Sequence, residues 1–239
     1  MWKREVDGLN LTFHLAGINN QNFLMRDEQT GTFWQQISGT AISGPLAGRH
    51  LELVSSDELT VGLWKSEQPT GTLLKDTAKY ASQYAKKDWD VRMQKTPTVL
   101  SYAQPGLTPR SLVIGIHVVG VAKAYPHEIV MAEKLVQDRV GGTPLLIVVG
   151  PDGQSIRGFR SQLPGSAGEL ALYRIDGDPT ALMMDDVTGS RWNFQGCAVA
   201  GKSIGTCLER IDIIKDYWFD WRHYNPATSV FHKTAERQR

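Results

Sequence analysis

Six histidines, at positions 14, 50, 117, 127, 223 and 232, could move protons or hold a metal, but they are scattered along the chain. Nucleophilic hydrolysis requires a serine or cysteine beside a histidine base and an orienting acid. No Gly-x-Ser-x-Gly elbow occurs. Ser38, Ser43 and Ser203 sit in glycine-rich turns, where small polar residues are expected anyway. Metal binding would show as clustered histidines, cysteines and carboxylates. Asp27-Glu28 and Asp185-Asp186 are paired acids, but their setting is that of solvated turn carboxylates. Cys197 and Cys207 lack zinc-ligand spacing and are expected to be small, partly buried thiols. They would pair only in an oxidising compartment.

Residues better placed to bind a ligand emerge from an internal repeat. Met25, Asp27, Thr30, Gly31 and Trp34 meet Met183, Asp185, Thr188, Gly189 and Trp192 at a constant offset of 158 (Met25 to Met183). After one lost residue the offset is 157 (Gly39 to Gly196), and it then matches Gly39, Ala41, Gly44 and Gly48 with Gly196, Ala198, Gly201 and Gly205. Trp64 and Pro69 meet Trp221 and Pro226 in the same register. The segments from about Phe13 to Leu74 and from about Tyr173 to Phe231 therefore read as diverged copies of one module. Within the copies, Arg26 and Gln36 stand where the second has Met184 and Phe194. Polar groups kept in one copy and lost from the other mark the first as the place for a site. The candidate ligand-binding residues are Asn22, Arg26, Asp27, Trp34 and Gln36.

The elements that must position these residues follow from local chemistry. In Asp-x-x-Thr-Gly the carboxylate can accept from amides two residues on, and glycine supplies a positive φ, so a hairpin turn is expected before each Trp34-type residue. Leu112–Val119 and Val121–Tyr125 read as strands around Gly120, a helix is expected over 126–135, and Leu145–Val149 reads as a further strand. Asp76 to Lys95 could hold a connector helix with Tyr80, Tyr84 and Trp89 near one face, and the prolines at 97, 105 and 109 imply extended chain after it. The expected organisation is a first module over 1–74, a connector over 75–111 and a second, more complete module over 112–239. By that comparison the first module lacks about fifty residues at its front.

Composition narrows the partners. A formal net charge of +1 provides no field for nucleic acid. No apolar run reaches the roughly 18 residues of a membrane span. No signal-peptide core opens the chain, so the cytoplasm is the default compartment, with export expected if the true start lies upstream. A quinoprotein-like propeller would repeat Asp-x-x-Thr-Gly-x-x-Trp every 40–50 residues or so, which a spacing of 158 does not satisfy.

Asn22-Phe-Leu-Met-Arg-Asp-Glu-Gln-Thr-Gly-Thr-Phe-Trp34, followed by Gly39-Thr-Ala-Ile-Ser-Gly44, resembles the bacterial and archaeal domain-of-unknown-function family numbered 3179. Ile114-Gly-Ile-His-Val-Val-Gly-Val-Ala-Lys-Ala-Tyr-Pro126 and Asp138-Arg-Val-Gly-Gly-Thr-Pro144 are similar to its other hallmark. Many members carry Cys-x-x-Cys after the Gly-Gly-Thr-Pro strand, which would suggest thiol or metal chemistry. This chain reads Gly150-Pro-Asp-Gly153 there. The resemblance names no activity or cofactor. The expected fold is a β-rich α+β protein of two diverged modules packed about a pseudo-two-fold axis. The expected function is a non-enzymatic binding or accessory module with a cleft in or between its repeats, for a small-molecule or protein ligand. The alternative is a redox or metal-dependent protein whose Cys-x-x-Cys is absent from this chain.

Overall fold

The computed structural model describes residues 1–233. A short hairpin, β1 (Glu5–Val6) and β2 (Leu9–Asn10), precedes an antiparallel sheet in chain order: β3 (Phe13–Asn19), β4 (Asn22–Asp27), β5 (Phe33–Gln35) and β6 (Ala41–Ser43). The expected hairpin turn lies between β4 and β5. Its Asp27 carboxylate accepts from the Thr30 amide at 2.5 Å, three residues on rather than two, and from Trp34 Nε1 at 2.8 Å. Trp34 is fully buried with Val6, Leu11, Ala41 and Leu51.

Next come two short helices, α1 (Val61–Glu67) and α2 (Trp89–Lys95). The long connector helix is not formed: one 3-10 turn at Ala78–Tyr80 and α2 are all that coil there. Tyr80, Tyr84 and Trp89 are all exposed, so no tertiary surface supports a helix of that length.

The rest of the chain continues with β7 (Leu112–Val118), β8 (Val121–Pro126), α3 (His127–Glu133), β9 (Leu135–Val140), β10 (Thr143–Val149) and β11 (Ile156–Arg160). Then follow β12 (Leu172–Arg174), β13 (Met183–Asp185), β14 (Arg191–Trp192), β15 (Ala198–Ala200), β16 (Arg210–Ile211), β17 (Ile213–Tyr217), α4 (Trp218–Tyr224) and β18 (Ser229–Val230). The helix expected to reach Leu135 stops at Glu133. Lys134 takes a left-handed φ of 60° while its amide still bonds the Val130 carbonyl, and Leu135–Val140 pairs with β10 as a strand that the sequence reading missed.

Three more four-stranded sheets result, ordered β16-β11-β10-β9, β17-β7-β8-β18 and β12-β13-β14-β15. A single residue, Asp212, separates β16 from β17, so the chain crosses there from one sheet to another. Every residue of β10 is buried, with a period of two. Leu145, Ile147 and Val149 face Ile114, Tyr125 and Ile156, whereas Leu146 and Val148 face Phe159, Met183 and Trp192. The architecture is the β-rich one expected, and no helix of the described residues is long and apolar enough to cross a membrane.

Contacts of the first sheet recur in the β12–β15 sheet. Asp185 accepts from the Thr188 amide at 2.5 Å and from Trp192 Nε1 at 2.9 Å. In both turns burial acts to raise the Asp27 or Asp185 pKa, but these hydrogen bonds outweigh it and hold the carboxylate below its usual range. Gly44 and Gly201 share a positive φ, and a Cβ on either would sit 2.7 or 2.6 Å from the Cα of Thr32 or Ser190. Thr40 bridges to His50 where Cys197 bridges to Cys207. The cysteines form a disulfide, which corrects the expectation of free thiols: antiparallel bridging brings residues ten apart in sequence side by side.

Candidate functional site

The segment Asp57–Glu67 docks against β11 and its neighbours. Leu59 and Leu63 pack against the cluster around Phe159 and Trp192. Arg157 of β11, only 3% exposed, forks between two acids of this segment. It donates to Asp57 Oδ2 at 2.7 and 2.9 Å and to both Glu67 carboxylate oxygens at 2.7 Å. Its guanidinium also lies 4.5 Å from the centre of the Phe194 ring, and Arg210 bonds Asp57 as well. Burial alone would raise the Asp57 pKa; the two arginines reverse this and hold it down.

This docking leaves a cleft of about 740 Å³ between Gln36 and Ser56–Thr60 on one side and β7, α3 and β17 on the other. Its floor is apolar. In the β7–β17 pairing Lys215 opposes Ile114 and Ile213 opposes Ile116, so Ile114, Ile213 and Lys215 share one face of the sheet. At the rim, Gln36 and Gln154 offer side-chain amides that make no hydrogen bond among the described residues, and the Lys215 ammonium pairs with Glu58. His127 forms part of the wall to a second cavity of about 570 Å³. Burial lowers its pKa, with Glu128 opposing, so the imidazole is neutral at pH 7. The Gly150–Gly153 turn flanks the cleft where the resemblance would place Cys-x-x-Cys. Burial would raise the Asp152 pKa, but hydrogen bonds from Ser155, Thr60 and Gln154 hold it down to about 2, tying the turn to the start of α1.

A second polar group lies where α4 meets the first sheet. Asn22 Nδ2 donates to Asp220 Oδ2 at 2.7 Å, and both residues are more than nine-tenths buried. Asn20 Nδ2 meets His223 Nε2 at 3.0 Å, which makes that nitrogen an acceptor and leaves Nδ1–H to donate to Tyr102 Oη at 2.8 Å. Gln35 Nε2 donates to Tyr224 Oη at 3.2 Å. Arg110 lies 4.9 Å from the centres of both the Tyr217 and Phe219 rings. Among the described residues, Asn22 Oδ1, Asp216 Oδ2, Asp220 Oδ1, Arg110 Nη2 and Arg222 Nη1 are buried without a hydrogen-bond partner. Burial, and then the neighbouring Asp220 carboxylate, push Asp216 up to about 8. Burial also raises Asp220, against the pull of Asn22, His223 and Arg110. At neutral pH the two acids therefore keep a proton between them.

The structure does not gather the five sequence-predicted residues at one place. Gln36 lines the cleft, and Asn22 joins the Asp220 cluster. Asp27 and Trp34 bond each other in the core cluster around Trp34. Arg26 stays with its own hairpin, donating to the Gly31 carbonyl at 3.1 Å beside the Phe33 ring. The sequence reading missed Lys215, Asp216 and Asp220. Their signal was present as Lys-Asp-Tyr-Trp-Phe-Asp, two acids four residues apart set into an aromatic run. Among the described residues, no group of three or more His, Cys, Asp or Glu side chains stands close enough to hold a metal ion.

With this geometry in place, comparison with known proteins gives one match. The chain belongs to the family described as Protein of unknown function (DUF3179), whose model matches residues 1–228. No curated protein and no solved structure matches.

Proposed function

We propose that this DUF3179 chain is a non-enzymatic binding module whose ligand occupies the cleft between two modules that arose by duplication. The observation that carries this reading is the cleft itself. At about 740 Å³ it falls within the roughly 300–1,000 Å³ of small-molecule sites, and it combines an apolar floor with a few uncommitted polar groups. The duplication is supported by the recurring Asp–Trp bonds, by the matched bridges at Thr40–His50 and Cys197–Cys207, and by α1 and α4. Those helices are each seven residues long and begin 157 apart (Val61 to Trp218). Glu58 and Lys215, also 157 apart, pair with each other, as equivalent positions near a pseudo-two-fold axis would. Gln36 is the candidate residue placed to touch a ligand there, and Asn22 acts at a distance by holding α4. The disulfide favours an oxidising compartment over the cytoplasm.

A fragment library screened by ligand-observed NMR tests the reading. Hits on the native chain should vanish in Gln154→Trp, which fills the mouth of the cleft, and weaken in Gln36→Ala. Undiminished binding to both variants would show that the cleft is not the ligand site.

A further inference from the structure

We infer that α4 is a proton-operated latch: it holds the first sheet against the rest of the chain while the buried acids Asp216 and Asp220 share a proton, and releases it when both are ionised. The latch works whether or not the cleft holds a ligand. The apolar cluster around Trp34 draws on residues 2–51, and the three other apolar clusters draw on residues 59–231. Among the described residues, therefore, no apolar cluster spans the junction. Hydrogen bonds span it instead. Three end on α4: Asn22 with Asp220, Asn20 with His223, and Gln35 with Tyr224. Those of Gln21 with Pro97 and Val99 reach only the exposed connector.

The junction lacks hydrogen-bond donors where they are needed. Asn22 Oδ1, Asp216 Oδ2 and Asp220 Oδ1 are buried acceptors without a partner, and the free Arg110 Nη2 and Arg222 Nη1 do not reach them. A carboxyl proton supplies a donor at this place; without it, two carboxylates stand together away from water. The surroundings offer little else. Arg110 stacks on Tyr217 and Phe219, Arg222 lies 5.9 Å from the centre of the Tyr102 ring, and His223 is engaged by Asn20 and Tyr102. From β7, Val113 and Gly115 face the tryptophans of α4, and the first sheet brings only the amides of Asn20, Asn22 and Gln35. Release exposes the acids, which then ionise near pH 3.9 instead of near 8, so rising pH favours the open state. Gln36 follows Gln35 in the chain, so opening also carries that side of the cleft away.

Nitroxide labels on the full chain test the latch by pulsed electron spin resonance. One pair, on Leu15→Cys and Val187→Cys, reports across the junction; another, on Val119→Cys and Val187→Cys, reports within the rest of the chain, and all three sites are exposed. From about pH 6 to about pH 8 the first pair should gain a longer-distance population. The open-to-closed ratio should rise by up to about a hundredfold, level off above that range, and reverse on return to low pH. The second pair should keep one distance throughout. Asp216→Asn, or Asp220→Asn if the first variant does not fold, should hold the first pair at its short distance. An unchanged distance across the junction up to about pH 9 overturns the latch, as does an opening that the folded variant leaves as large as in the native chain. Broadening of both pairs together would be unfolding of the whole chain, and the latch would fall with it.

Discussion

The helices α1 and α4, each seven residues long, both contact distant parts of the chain, but they are held by opposite means. Around α1 the charges are complete: Arg157 takes Asp57 and Glu67 in four hydrogen bonds, and Arg210 closes the network on Asp57. Around α4 the charges are incomplete, since Asp216, Asp220 and Asn22 each keep a buried acceptor without a partner. A satisfied buried network has one good arrangement, whereas a partly satisfied one depends on where the protons are. The α1 junction is therefore fixed, and the α4 junction pH-sensitive.

The largest test of this contrast is Arg157→Ala, which leaves Asp57 and Glu67 without their shared partner. It should cost about 3–5 kcal/mol in urea unfolding. A loss under about 1 kcal/mol would mean that α1 is held by Leu59 and Leu63 alone. Removing the disulfide with a double Cys197→Ser, Cys207→Ser change should cost roughly 2–3 kcal/mol for a loop of this length. His50→Ala, which breaks the matching 3.1 Å contact with Thr40 beside the first sheet, should cost less than about 1 kcal/mol. Equal losses at the two bridges would erase the difference in reinforcement between the two sheets.

At α4 the effect is smaller and reversed in sign. Asp216 keeps its proton in the folded state up to about pH 8, while in the unfolded chain it loses it near pH 3.9. Between those values the native state binds more protons than the unfolded state, so stability should decline as pH rises from about 4 to about 8. Asp216→Asn should flatten that decline and raise Tm at pH 8 by a few degrees, equivalent to on the order of 1 kcal/mol. A steeper decline in the variant would contradict the shared proton. The smallest effect is expected at the rim, where Gln36→Ala should leave stability within about 0.5 kcal/mol and change ligand binding alone.

Much of the local structure was legible in the residues. Asp27, Thr30, Gly31 and Trp34 announce their hairpin, and the same residue types announce the second one at 185–192, because a carboxylate cap and a glycine act within a few positions. The strands read at 112–119 and 145–149 show in their β-branched runs. The reading broke down where a neighbour decides. Leu135–Val140 has no helix-excluding residue, and only its pairing with β10 makes it a strand. The connector has helix formers, but no surface for Tyr80, Tyr84 and Trp89 to cover.

The candidate site divides along the same line. The sequence by itself determined the twin hairpins, their glycine turns and the family to which they belong. It also singled out Arg26 and Gln36 as polar positions where the second copy has Met184 and Phe194, with Asn22 as a candidate beside them. Only the tertiary structure decided that Gln36 lines a cleft, that Asn22 meets Asp220 from 198 positions away, and that Lys215 pairs with Glu58 from 157 positions away. The reason is range. Turn and cap preferences are set by neighbours a few residues along the chain, whereas burial and charge compensation depend on groups that folding alone brings together.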